Sequence, residues 1–175
     1  MAITKPSEAY WDEKVEASEK VWLAVSILAC LFMFLVMVVW AIAGKQNPPQ
    51  ESYIIRPSTF QQRVEEFINK YKIGEENGVP IVEAPSNVDL YLMGRMFQWT
   101  PILVLKKGET YRIRLSSIDV NHGFSIQPVN INFQAVPGYE YVLTLKPTQS
   151  GEFLIVCNEF CGIGHHKMVG KIIVK

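Results

Sequence analysis

The pattern of hydrophobic and polar positions divides this 175-residue chain into three regions. Residues 21–43 form a run without a charged side chain, and residues 59–72 place apolar side chains at helical spacing. From residue 88 onward, short runs alternate apolar and polar positions and are broken by turns. These patterns predict a membrane-spanning helix, an amphipathic helix and the strands of a β domain, in that order.

The apolar run contains 23 residues. At about 1.5 Å per residue, a helix of this length covers roughly 34 Å, which is enough to cross a bilayer core of about 30 Å. A cleavable signal peptide has a shorter apolar region, and a buried core helix seldom lacks a polar face over this length. We therefore expect a membrane anchor, although lysine and arginine flank it almost equally and leave its orientation open.

Two serines are candidate helix N-caps. Ser7 precedes residues 8–20, which are expected to form a helical segment that leads into the membrane. Ser58 precedes the short amphipathic helix, which should pack on the domain or on a partner subunit. Its helically spaced apolar residues are Phe60, Val64, Phe67, Ile68 and Tyr71.

The region from residue 88 onward is typical of a β domain. Tyr111, Ile113 and Leu115 alternate with polar residues, as in a half-buried strand. Lys-Gly at 107–108 and Pro-Gly at 137–138 are turn signals. Six or more short strands predict a sandwich or small barrel. The expected organisation is an N-terminal helical segment (1–20), a transmembrane helix (21–43), a linker with one short helix (44–86) and the β domain (87–175).

Charge and motif content exclude several functions. The chain has 17 basic and 17 acidic residues, and neither half has the basic run of a nucleic-acid-binding protein. The sequence contains no Cys-x-x-Cys-His motif, which excludes a covalently attached haem c. It has no nucleophile–base constellation either, so we expect no bond chemistry on this chain alone.

Metal-binding side chains concentrate in residues 157–168, with the sequence CNEFCGIGHHKM. Thiolate, imidazole and thioether groups are ligands that suit copper better than magnesium or calcium. His122, in the upstream segment DVNHGF, supplies a second imidazole. The set would serve zinc or one copper, and it suits two coppers bridged by two sulfurs better. Without the histidines and the methionine, a disulfide would be favoured; Cys30, in the apolar run, is expected to pack as a small apolar residue.

These two segments resemble the binuclear copper A site of subunit II of cytochrome c oxidase. NINFQAVPGYEYVLTL and GEFLIVCNEFCG resemble the strands that hold this site, and the likeness runs from about residue 88 to 175. With a single apolar span, the chain is most similar to the B-type members. The resemblance implies a mainly β fold, a cupredoxin-like Greek-key β-barrel with one N-terminal transmembrane helix.

The resemblance also implies the role of each ligand. The copper ligands would be the bridging thiolates Cys157 and Cys161, the terminal imidazoles His122 and His165, and two weak axial ligands, Met168 and the backbone carbonyl of Glu159. His166 is expected to be exposed, and the role of Asp119 stays open. In many members the residue at position 159 also contacts a magnesium ion at the interface with the catalytic subunit. The Glu159 side chain permits such a site, and a simple hydrogen bond across the interface is an equal alternative.

The implied function is oxidoreductase and translocase activity as part of an assembly. Electrons would pass from cytochrome c to the binuclear copper A centre, and from there to a subunit I with haems and copper B, where oxygen is reduced to water. Further small membrane subunits would accompany them. The copper domain would lie outside the cytoplasmic membrane with the N-terminus in the cytoplasm. Trp99 is the candidate residue at which electrons arrive, with Phe97 beside it; both rings could instead belong to the core, and for Phe97 we favour the core.

Three alternatives remain at this point. A copper A subunit of a nitric oxide reductase would carry the same ligands. A membrane-anchored copper chaperone would need neither the methionine spacing nor two separate histidines. A mononuclear blue-copper protein would need one cysteine rather than two.

Overall fold

The structure, a computed structural model, describes residues 14–44, 51–129 and 131–175. The chain divides into two compact units, residues 1–46 and residues 47–175. The described part of the first unit is dominated by one helix, and the second unit is a β domain.

The helix of the first unit, α1 (Ala17–Ala43), is long and apolar enough to cross a membrane. It ends at the predicted residue and begins four residues before the predicted start at residue 21. Ala17, Glu19 and Lys20 are good helix formers, which extends the helix beyond the apolar run. Residues 14–16 are not helical, and the segment capped by Ser7 lies outside the described residues.

The described residues of the second unit form twelve strands and one α-helix. The strands are β1 (Glu51–Ile54), β2 (Lys72–Glu76), β3 (Val79–Glu83), β4 (Asp89–Arg95), β5 (Gln98–Thr100), β6 (Ile102–Leu105), β7 (Tyr111–Ser117), β8 (His122–Gln127), β9 (Ile131–Ala135), β10 (Tyr139–Leu145), β11 (Gly151–Val156) and β12 (Val169–Val174). The α-helix is α2 (Pro57–Tyr71), and a short 3-10 helix covers His165–Lys167.

The strands form two sheets that enclose the core. The first sheet has the order β1-β10-β7-β4-β5, and the second has the order β2-β3-β6-β12-β11-β8-β9. Most neighbours are antiparallel, whereas β4–β7, β3–β6 and β6–β12 are parallel. The core side chains come from both sheets and include Leu92, Leu115, Leu103, Phe124 and Ile155. The predicted β-sheet architecture is confirmed, and β7 shows the predicted alternation of buried and half-buried side chains.

Helix α2 packs on the outer face of the first sheet through a second, smaller core. Phe60 and Val64 are fully buried and cluster with Met93 of β4. The predicted N-cap at Ser58 is wrong: the helix begins at Pro57, and Arg56 is the N-cap without a side-chain bond. Proline is suited to the first helical position because its fixed backbone angle is helical and no N–H is needed there.

Much of the segment predicted as linker belongs to the β domain. β2 and β3 form an antiparallel hairpin, and β1 is paired with β10 at the edge of the first sheet. The hairpin turns at Asn77 and Gly78, with φ angles of 51° and 77°. Positive φ at both positions is the geometry of the two-residue turns that Asn-Gly favours between strands. This Asn-Gly pair is the sequence signal that the linker prediction missed.

A network of ion pairs joins α2 to the first sheet. Glu140 is 1% exposed and bonds to both Arg63 and Arg114. Arg114 Nε also lies 2.6 Å from Asp89 Oδ2. Partial burial opposes the charged form of Arg114, but the bonds from Glu140 and Asp89 outweigh it and raise its pKa. Arg112 continues the network by bonding to Asp89 and Glu51, so that α2, β1, β4, β7 and β10 are tied together.

Candidate metal centre

The candidate ligands meet at one end of the second sheet because three adjacent strands begin or end there. Val156 of β11 pairs with both Ser125 of β8 and Val169 of β12. His122 is the first residue of β8, and residues 157–168, here called the ligand loop, connect β11 to β12. The Cys157 N–H donates to the Met168 carbonyl at 3.2 Å and closes this loop at its base.

Glycine at position 123 lets the loop approach β8 closely. The Asn158 N–H donates to the Gly123 carbonyl at 3.4 Å. A Cβ atom at Gly123 would lie 2.8 Å from the Glu159 nitrogen and 3.0 Å from the Asn158 nitrogen. A side chain there would push the loop away from His122, so the close approach requires glycine.

The two cysteine sulfurs form the middle of the cluster. Their Sγ atoms are 3.7 Å apart, and both residues are buried. Cys157 Sγ lies 3.8 Å from His122 Nδ1 and 3.2 Å from the Glu159 carbonyl oxygen. The ligating atoms of His122 and the two cysteines all lie within 4.8 Å of one another.

Cys161 has a matching set of neighbours on its own side. Its Sγ lies 3.6 Å from His165 Nδ1 and 3.7 Å from Met168 Sδ. Each sulfur therefore faces one imidazole and one weaker donor. The structure thus brings together all six ligands expected from the sequence, as a pair of sulfurs with one imidazole on each side.

Asp119 sets the orientation of His122. Its Oδ1 lies 2.8 Å from His122 Nε2, and because an ionised carboxylate only accepts, Nε2 must carry the proton. This bond leaves Nδ1 as the ring nitrogen that faces the sulfurs and that is available to a metal ion. Burial of Asp119 works against its ionised form, but bonds from the Met96 N–H, His122 and the Val120 N–H outweigh it and lower its pKa. The spacing Asp-x-x-His was the signal for this role in the sequence.

The donor set fits copper. Thiolate, imidazole and thioether are soft or intermediate ligands, and the burial of His122, both cysteines and Met168 excludes competing water. Burial, together with the neighbouring Cys157 thiol, raises the pKa of Cys161 to about 11. A bound metal ion must therefore displace a proton from Cys161 at neutral pH.

Of the two aromatic residues near the site, Phe97 is exposed and Trp99 is buried, which is the reverse of the expectation. Trp99 is 2% exposed, and its ring lies edge-on to His122 at a centroid distance of 5.9 Å. Phe97 is 37% exposed, so the expectation that it belongs to the core is wrong. The physical reason is position: Trp99 points inward from β5, whereas Phe97 lies in the turn that precedes this strand.

The remaining candidates lie at the edge of the centre. His166 is exposed, as expected. The Glu159 carboxylate accepts a hydrogen bond from Gln134. Within the described part of the chain, no group of three metal-binding side chains includes Glu159.

Comparison with known proteins agrees with this geometry. The family model of the cytochrome c oxidase subunit II periplasmic domain matches residues 89–175. A cytochrome c oxidase subunit 2 of Thermus thermophilus is 29% identical over 163 residues, which cover 91% of this chain and 92% of the relative. A second Thermus thermophilus cytochrome c oxidase subunit 2 is 33% identical over 92 residues, covering 52% of this chain and 68% of the relative.

Solved structures show the same fold. A chain from a heme-copper terminal oxidase dimer, determined by cryo-electron microscopy, is 26% identical with a TM-score of 0.54, covering 90% of this chain and 99% of that chain. A variant of rusticyanin is 18% identical with a TM-score of 0.53, covering 73% of this chain and all of its own, and this likeness identifies the β domain as cupredoxin-like. Sequence identity, the length of the match and the arrangement of donors agree: the chain belongs to the cytochrome c oxidase subunit II family.

Proposed function

We propose that this chain receives electrons for a respiratory haem-copper oxidase through a binuclear copper A centre. The observation that carries the proposal is the pair of sulfurs 3.7 Å apart, each with one imidazole and one weaker donor beside it. A mononuclear zinc or copper site uses about four ligands around one point. Six donors, two of which are sulfurs placed between the other four, suit two metal ions.

Each side chain has a defined task in this proposal. Cys157 and Cys161 would be shared by the two ions, and their negative charges would offset most of the copper charge in a poorly solvated site. His122 and His165 supply the terminal imidazoles. Met168 and the Glu159 carbonyl are weak donors that tune the potential more than they retain metal.

Copper bound by these residues would supply one-electron chemistry between cytochrome c as the donor and haem in subunit I, where oxygen would be reduced to water. The chain contributes rigidity, because strands β8, β11 and β12 fix the ligand positions. It also excludes water, because His122, both cysteines and Met168 are buried. A site held this firmly changes little in geometry when its charge changes, which favours fast electron transfer.

The assembly proposed around this chain follows the family. Helix α1 anchors the chain in the cytoplasmic membrane with the N-terminus inside and the copper domain outside, next to subunit I and further small membrane subunits. The Glu159 carboxylate accepts a hydrogen bond from Gln134. A magnesium ion prefers six oxygen ligands, so an ion at the interface would need further ligands from subunit I or from water. Its binding there remains part of the proposal.

Copper content and electron paramagnetic resonance of the full-length chain in detergent test the copper centre. We expect two copper ions per chain and the hyperfine pattern of one electron shared by two copper nuclei. One copper without this pattern would indicate a chaperone and contradict the proposal. The haem content of the copurifying complex, and its consumption of oxygen rather than nitric oxide, test the oxidase assignment separately.

Replacing Met168 with leucine should retain both copper ions. Met168 is 1% exposed, and an apolar side chain there disfavours the more charged oxidised state, so the potential should rise on the order of tens of millivolts. Metal analysis beside voltammetry measures both quantities. Complete loss of copper would show that Met168 retains the metal, and an unchanged potential would show that its sulfur is not a ligand.

The rate of cytochrome c oxidation should depend only weakly on ionic strength. Residues 87–175 have 9 basic and 6 acidic residues, so they lack the acidic excess that would attract a basic cytochrome. Stopped-flow mixing with reduced cytochrome c from low to high salt should change the rate by roughly twofold or less. A steep fall with salt would show that charge steers the encounter.

In the proposed electron path, Phe97 lies at the surface and Trp99 lies in the interior. Phe97 reaches the surface, whereas Trp99 lies inside against His122. Trp99 can therefore act only as an inner relay, because a buried ring cannot touch a docked donor.

A further inference from the structure

The turn between β4 and β5 is anchored beside the metal centre. Arg95, at the end of β4, pairs with Gln98, at the start of β5. Met96 and Phe97 between them therefore form a two-residue hairpin tip. The Met96 N–H donates to Asp119 Oδ2 at 2.6 Å. The same carboxylate group holds His122, so the hairpin tip and the first ligand share one anchor.

The Phe97 ring lies directly against the backbone of the ligand loop. A Cβ atom placed on Gly164 would lie 2.6 Å from Cε2 and 2.7 Å from Cγ of Phe97. A Cβ atom placed on Gly162 would lie 3.2 Å from both Cε1 and Cζ of the same ring. Distances this short leave no room for a side chain at position 164 while the ring stays in place. The ring and the two glycines are therefore a complementary pair of surfaces.

The part of the loop beneath the ring carries ligands. Gly162 and Gly164 lie between Cys161 and His165, whose Sγ and Nδ1 atoms are 3.6 Å apart. Phe97 is distant in the chain from Cys157 and Met168, whose hydrogen bond closes the loop at its base. Its contact is positioned to keep this half of the loop against the domain.

We propose that Phe97 is a positioning residue that holds the ligand loop closed over the metal centre and thereby slows the loss of copper. The copper part of this inference rests on the proposed function, whereas the contact itself exists without metal. The role differs from electron transfer, because it depends on the fit between the ring and Gly164 rather than on the π-system of the ring.

Gly164 offers a clean test of the fit. Its φ and ψ angles are −87° and 6°, which an alanine adopts, so Gly164→Ala adds a methyl group without forcing the backbone. Gly162 is unsuitable because its φ is +127°, and any side chain there would be strained. Phe97→Ala removes the ring, and the double variant Phe97→Ala/Gly164→Ala has neither the ring nor the overlap. Tyr139→Ala is the control, since Tyr139 is 45% exposed and stacks on Tyr141.

The experiment measures copper release from the full-length chain in detergent to an excess of a copper chelator. Gly164→Ala and Phe97→Ala should each accelerate release by about tenfold, since overpacking and loss of a packed ring both loosen the loop. The double variant should release copper no faster than Phe97→Ala, because the methyl group then meets no ring. The Tyr139→Ala rate should match the unsubstituted chain. Effects of the two substitutions that multiply in the double variant would overturn the proposal, as would a Phe97→Ala rate equal to the control.

Hydrogen exchange in the metal-free chain separates this inference from the proposed function. The His165 and Lys167 amides donate to the Gly162 and Gly164 carbonyls at 3.0 Å and 2.9 Å, so their exchange reports loop opening without copper. Both amides should exchange faster in either single variant, and they should exchange no faster in the double variant than in Phe97→Ala. This result would support the contact even if the copper centre were not binuclear. If exchange is unchanged in the variants while the copper-loaded chain shows an intact copper A spectrum, the role of the contact is refuted and the proposed function is not.

Discussion

Replacing Cys161 with serine should abolish the binuclear centre. Cys161 Sγ lies 3.7 Å from Cys157 Sγ, 3.6 Å from His165 Nδ1 and 3.7 Å from Met168 Sδ, so its loss removes the atom that joins one side of the cluster to the other. A hydroxyl is a poor bridge for copper. Copper content should fall to about one ion per chain or less, and Cys157→Ser should behave in the same way.

Cys30→Ser is the matched control for this experiment, because Cys30 lies in α1 and outside the β domain. It should keep two copper ions and the unchanged spectrum. Electron paramagnetic resonance and metal analysis of the full-length variants decide the outcome. A shared-electron hyperfine pattern that survives in Cys161→Ser or Cys157→Ser would refute the assignment of these residues as bridges.

Replacing Glu140 with glutamine should strongly destabilise the β domain. Glu140 is 1% exposed and its carboxylate bonds to Arg63 and Arg114. The amide leaves Arg114 with one negative partner instead of two while it is still mostly buried. Breaking a buried pair by removing one partner costs about 3 kcal/mol of unfolding free energy.

Chemical denaturation of the full-length chain, followed by near-ultraviolet circular dichroism, measures this loss. Glu152→Gln is the control, because the Glu152 side chain is 62% exposed and pairs with Lys171 at 3.4 Å. An exposed pair of this kind contributes about 1 kcal/mol or less. Equal unfolding free energies for the two variants would show that the ion network around Glu140 does not stabilise the fold.

The sequence predicted the elements whose pattern is local. The uncharged run indicated the end of α1 at residue 43, and the alternation in β7 indicated its buried face. The ligand loop was predictable because five of the six donors lie within twelve residues of the sequence. For these features, side-chain spacing alone carries the information.

The features that sequence reasoning missed depend on partners distant in the chain. Trp99 and Phe97 are two residues apart with similar hydrophobicity, and only the pairing of β4 with β5 places one inside and the other in a turn. The Asp-x-x-His spacing is local, but the second bond of Asp119, from the Met96 N–H, joins residues 23 positions apart. The hairpin of β2 and β3 is the exception, since its Asn-Gly turn was legible in the sequence.

The position of β12 in the second sheet has a consequence for biosynthesis. This strand is synthesised after the other eleven, yet it lies between β6 and β11 in the middle of the sheet. Met168 immediately precedes it, and the loop is closed only when the Met168 carbonyl accepts the Cys157 N–H. A nascent chain that still lacks β12 therefore has a gap in the sheet and an open loop. The full set of proposed ligands can therefore come together only in a chain in which β12 has already emerged and folded.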